Sequence, residues 1–200
     1  MIRSRAKILR DPELARLGGD LEEHLENWIK SSTPMEIVGV FDHVCISLLR
    51  EAFLEVGGCE GSVWLADKDE KNLVAVYNSG EDATSLVGFE QPVGDGIISM
   101  VFVQQQPYCE NDIERSHGHD DTLDKKIEKN TMAMIAVPFY FASGIRGVIS
   151  CVQLGEFDSE TKKRGFSSDD VSALSRVVNI VERLINETLQ SSVLGLSDAG

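Results

Sequence analysis

Apolar positions recur at helical spacing in the first part of the chain. Leu14, Leu17, Leu21, Leu25 and Trp28 fall three and four residues apart on an otherwise acidic segment. Asp11 as N-cap and Pro12 at the first helical position supply a start signal. Gly18-Gly19 weakens the first half, so the pattern is strongest over residues 20–31. A second start follows at Thr33-Pro34-Met35-Glu36, a capping box with proline at the first helical position. Ile37, Phe41, Val44, Leu48 and Ala52 then line one face, with Val38, Cys45, Leu49 and Phe53 beside it. So broad a stripe predicts one helix running to Gly57-Gly58 and packed against a sheet or bundle.

Beyond Gly58 the period shortens. Ser62 to Ala66 and Leu73 to Tyr77 are β-prone runs across a charged link, which predicts a hairpin. Ser85 to Val93 suggests a third strand. Gly94-Asp95-Gly96 opens a short helix over Ile97 to Val103, and Tyr108-Cys109-Glu110 reads as a brief strand. Asn111 to Asn130 is a long polar connection, of the kind that is usually functional or mobile. Thr131 to Phe141 and Gly147 to Leu154 are near-continuous apolar runs joined by Ala142-Ser143-Gly144, a central hairpin buried on both faces. Pro138 inside the first run implies a bulge or an unpaired backbone position. After a second loop, Gly155 to Gly165, Ser167 and Asp170 form another capping box. The closing helix carries Val171, Leu174, Val177, Val178, Val181, Leu184 and Ile185, and residues 191–200 read as a disordered tail. The expected division is an extension and helix over 1–32, a domain over 33–190 and that tail.

Charge narrows the function classes. The 200 residues carry 33 Asp+Glu against 19 Lys+Arg, a formal −14. The only basic cluster is Arg3, Arg5, Lys7 and Arg10, so a nucleic-acid partner is not expected. No apolar stretch approaches the ~20 residues of a membrane span, and no secretory signal opens the chain. The expectation is a cytoplasmic protein with reduced cysteines. Cys45, Cys59, Cys109 and Cys151 are spread singly, without the spacing of a zinc site.

The ordered elements make an α+β sandwich, and at four places the chain resembles the GAF family of regulatory domains. Gly94-Asp95-Gly96-Ile97 looks like the family's Gly-acid-Gly helix opening, and Gln106-Pro107-Tyr108 like the strand entry that follows. Ala136-Val137-Pro138-Phe139 with Gly147-Val148-Ile149 resembles the central hairpin, and Phe166 to Asp170 the start of the final helix. The resemblance implies a six-stranded antiparallel sheet. Its N- and C-terminal helices pack on one face, and a short helix plus loop cover a ligand pocket on the other. Such domains commonly dimerise through the terminal helices. Several relatives' chemistries lack their residues here. Gly155-Glu156 stands where cyclic-nucleotide binders often carry Asn-Lys, and neither His117 nor His119 has the cysteine neighbour of a bilin site. Ile97-Ile98-Ser99 lacks the cysteine of methionine-sulfoxide-reducing relatives.

Four residues stand out as ligand-binding candidates. Trp64 shares a strand face with Ser62 and Ala66 and should look toward the pocket, since Val63 and Leu65 make the face that meets the helices. Asp95 sits at a helix start beside that pocket, where N-capping is its plainer role. Asp112 follows the strand at 108–110, and Met134 shares a face of the central strand with Met132, where core packing is the plainer role. The Gly94-x-Gly96 pair satisfies a tight turn rather than a dinucleotide fingerprint, which lacks its third glycine at Ser99. His117-Gly118-His119-Asp120-Asp121 is the one histidine-rich cluster, but a charged loop with glycine fixes ligands poorly, so no metal site is expected. The sequence therefore points to a sensory module without catalytic residues or cofactor. It would bind an unidentified small molecule, form a homodimer and act on a signalling protein in trans. The alternatives are a redox enzyme using Cys109, akin to the methionine sulfoxide reductases, and a purely structural dimerisation module.

Overall fold

The computed structural model describes residues 12–113, 130–155 and 165–194. The histidine–aspartate cluster at 117–121, most of the 111–130 connection and nearly all of the second loop lie outside them.

Helix α1 (Pro12–Ser31) is followed by the short α2 (Pro34–Ile37), a 3-10 turn over Val38–Val40, and α3 (His43–Glu55). The Thr33 capping box is present, with Thr33 N–H donating to Glu36 Oε2 at 2.7 Å and Glu36 N–H to Thr33 Oγ1 at 3.3 Å. The single helix expected from Thr33 to Gly57 is broken, however. Phe41 is extended and Asp42 starts a new helix, accepting from Cys45 N–H at 2.8 Å. Ile37 and Phe41 are both buried in the same core as Cys45 and Leu49, so the apolar period runs through the break and conceals it.

The sheet comprises β1 (Glu60–Ala66), β2 (Asn72–Asn78), β3 (Glu90–Pro92), β4 (Tyr108–Glu110), β5 (Asn130–Phe141) and β6 (Gly144–Gly155). These six strands run antiparallel in the order β3-β2-β1-β6-β5-β4. The third strand is shorter than expected because Ala83–Leu86 forms α4 before it. Helix α5 (Gly96–Gln104) and the long α6 (Ser168–Val193) complete the fold. Ser167 caps α6, whose helix continues past residue 190, so the first residues of the expected tail are helical.

Alternation along the strands gives the sheet two apolar faces. Val63, Leu65, Ile135, Val137, Ile149 and Cys151 point to one side, where α1, α3 and α6 cover them. Trp64, Leu73, Ala75, Met134, Ala136 and Val148 point to the other, against Ile97, Ile98, Val101 and Phe102 of α5. Leu25 and Ile29 of α1 are buried in the helix-side core.

Pro138 has a definite place. Strand β4 pairs only with Met134, Ile135 and Ala136, so the outer edge of β5 beyond Ala136 has no partner strand among the described residues. Proline there offers no N–H to leave unpaired. Two residues on, the register shifts between Phe139 and Tyr140, and Tyr140 N–H donates to Glu182 Oε1 of α6 at 2.8 Å.

Candidate functional site

The face under α5 is where the sequence places its ligand residues, and it is built from buried groups. Trp64 on β1 is 3% exposed, and its indole Nε1–H donates to Ser150 Oγ on β6 at 3.1 Å. Its ring meets Phe89 edge to face, centroids 6.3 Å apart. Met134 on β5 is buried in the same cluster. Trp64 and Met134 are thus brought together, and both also serve as core, the plainer role for Met134.

Asp95 and Asp112 lie outside that cluster, at the surface. Asp95 occupies the N-cap position of α5, yet its side chain makes no capping bond. The turn is held by other groups. Gly94 N–H donates to Ser99 Oγ, and Gln91 Nε2–H donates to the Asp95 carbonyl at 2.6 Å. Gly94 and Gly96 have φ of 115° and 72°, backbone that glycine adopts freely, so the Gly-x-Gly pair does serve a tight turn. The Asp95 carboxylate therefore stands at the positive end of α5 without being consumed by the helix. Asp112 follows β4, where its N–H and that of Asn111 donate to Glu110 Oε1 at 3.0 and 2.9 Å.

Ser99, Ser150 and Gln91, none of them a ligand candidate from the sequence, are all buried polar residues fixing this face. A lone serine inside each apolar run, at 99 and at 150, was the available signal, because a buried hydroxyl needs a partner.

The cysteines fall elsewhere. Cys109 is half-buried beside the helix-side core, opposite the Trp64 face, with its Sγ 3.8 Å from the Phe166 carbonyl. Burial, then the charges of Glu110 and Asp170, pushes its thiol pKa up. Burial drives Cys45 and Cys151 up to about 12. A thiol held protonated is a poor nucleophile. Among the described residues, no group of three or more His, Cys, Asp or Glu side chains could hold a metal ion, and no helix is long and apolar enough to cross a membrane.

A six-stranded antiparallel sheet with terminal helices on one face and a Gly-led helix on the other defines an α+β sandwich of the regulatory-domain type. The model of the GAF domain family matches residues 42–186, and the chain belongs to that family. No curated protein matches it. Solved structures share the fold at low identity. The GAF-B domain of DevS from Mycobacterium smegmatis aligns at TM-score 0.57 and 16% identity, covering 79% of this chain and 98% of its own. The GAF domain of an Acinetobacter phosphoenolpyruvate-protein phosphotransferase gives 0.58 and 14%, covering 94% and 99%. Free methionine-R-sulfoxide reductase from Neisseria meningitidis gives 0.55 and 17%, covering 94% and 98%.

Proposed function

We propose that this chain is a non-catalytic sensory module that binds a small molecule on the α5 face of its sheet and signals in trans as a homodimer. The observation carrying this reading is a buried indole–thioether cluster under α5, the helix at whose N-terminus the exposed Asp95 carboxylate makes no capping bond. Such a combination suits recognition: apolar area for affinity and a few polar groups for orientation. Binding there would bias the arrangement of the terminal helices across the sheet by differential affinity for two states. The exposed or half-exposed Leu17, Leu21 and Trp28 of α1, with Val177, Ile180 and Leu184 of α6, form the proposed dimer surface. Leu25 and Val181, on the same two helices, face the protomer's own core.

One second reading has a specific motive, since the fold is shared with methionine-R-sulfoxide reductases. The raised thiol pKa of Cys109 and its place on the helix face count against it. Native mass spectrometry of the purified protein separates the readings when joined to an assay of free methionine sulfoxide reduction before and after thiol alkylation. A retained small molecule with no alkylation-sensitive turnover supports the sensor. Turnover abolished by alkylation overturns it.

A further inference from the structure

The turn between β5 and β6 is made of the wrong residues for its shape. Phe141 pairs with Gly144, leaving Ala142 and Ser143 as a two-residue loop with φ of 46° and 62°. Two successive left-handed residues are what a type I′ turn requires, and Asn-Gly is the pair that adopts them readily. Alanine in that region is uncommon without surrounding support. The support comes from Arg146 of β6, which Glu26 of α1 holds, and from α6.

On one side, Arg146 is 13% exposed and folds back over the turn. Its Nε–H donates to the Phe141 carbonyl at 3.2 Å and its Nη2–H to the Ala142 carbonyl at 2.7 Å. The same Nη2 also meets the Glu26 carboxylate of α1. That guanidinium, with the attached methylenes, leaves a recess of about 90 Å³ against Ile29, Ile37 and Leu65. On the other side, α6 supplies acceptors for the turn's N–H groups. Ala142 N–H donates to Asn186 Oδ1 and Tyr140 N–H to Glu182 Oε1, both at 2.8 Å. Asn186 is itself oriented by its Nδ2–H donating to the Glu182 carbonyl at 2.8 Å. A groove of about 520 Å³ opens along this side, so the α6 contacts are accessible from solvent.

We infer that the β5–β6 turn is a latch linking α1 to α6: each helix stabilises the left-handed turn, and release by one loosens the hold of the other. The carbonyls that Arg146 grips are correctly placed only while Ala142 and Ser143 stay left-handed. Asn186 holds that conformation from the opposite side. Loss of the Asn186 bond lets the turn relax, the carbonyls swing away, and Arg146 no longer presents its guanidinium to Glu26. Helices α1 and α6 also touch directly, which gives a competing route for any coupling. The latch is independent of the ligand face and is a property of the free protein.

The test is hydrogen exchange on the full ligand-free chain, comparing wild type with Asn186→Ala, each with and without the paired change Ala142→Asn and Ser143→Gly. In the native turn, Asn186→Ala should speed exchange in residues 21–31 of α1 on the order of tenfold, leaving β1 and β2 unchanged. In the Asn-Gly background the turn holds itself, so the same substitution should leave α1 near its wild-type rate. Three results overturn the inference. One is unchanged α1 exchange beside a loosened turn. Another is uniform acceleration across the sheet. The third is acceleration of α1 that persists in the Asn-Gly background, which would assign the coupling to direct helix contact.

Discussion

Glu182 shows how much one carboxylate can be asked to do. It accepts from Tyr140 N–H at the exposed edge of β5, and burial pushes its pKa above the ordinary 4.5 while that hydrogen bond pulls it down. With the folded value raised, the native state binds the extra proton, so ionisation between 4.5 and the folded value erodes stability as pH rises. A glutamine keeps an acceptor for Tyr140 without the buried charge. Glu182→Gln should therefore match wild type below pH 4.5 and exceed it at neutral pH. Urea melts at both values check the sign, and an advantage that shrinks as pH rises would refute it. Pro138 two strand positions earlier was legible in the sequence as an edge or bulge residue. Its partner in the same task was not, because nothing local joins Tyr140 to a glutamate 42 positions away.

At the scale of elements, the period of apolar residues located the helices and strands well and their ends less well. The interruption at Phe41 was hidden because Ile37 and Phe41 bury against one core despite the break. The Asp42 N-cap is its visible mark, masked by the stripe that continues on either side. The strand expected over 85–93 lost its first half to α4, where only local turn chemistry decides between four helical residues and an extended start. Helix α1 is core along only part of its length. Leu25 is 5% exposed within the core, whereas Leu17, about two turns earlier on the same stripe, is 53% exposed. Leu25→Ala should cost about 2–4 kcal/mol and Leu17→Ala less than about 0.5 kcal/mol in denaturant unfolding. Equal small effects would mean that α1 is dispensable to the fold.

For the whole molecule, the two-faced sheet separates the proposed tasks: recognition under α5, assembly across α1 and α6. The sheet face under α5 was partly legible, since Trp64 and Met134 sit together in one buried cluster. The hydroxyls and carboxamide that fix it were not, because their partners lie on other strands or across a turn. Assembly has its own test. The helix layer leaves Leu17, Leu21, Trp28, Ile180 and neighbours outward on a chain of net charge −14. Sedimentation at tens of micromolar should show a dimer that tightens with salt, because screening weakens the mutual repulsion of acidic protomers. A monomer at both low and high ionic strength would remove the dimer from the account.

The central claim is that a ligand binds on the Trp64 face and is oriented by Asp95. Trp28 and Trp64 are the only indoles, so Trp28→Phe leaves Trp64 as sole reporter at a packing cost of about 1 kcal/mol. The measurement is Trp64 emission during titration with a metabolite that raises the melting temperature of the protein, repeated with Asp95→Asn. The account predicts a saturable change in emission, with affinity ten- to a hundredfold weaker in Asp95→Asn, the worth of roughly 1.5–3 kcal/mol for a charge-assisted hydrogen bond. A stabilising metabolite that leaves Trp64 emission unchanged and binds Asp95→Asn as well as wild type would contradict it.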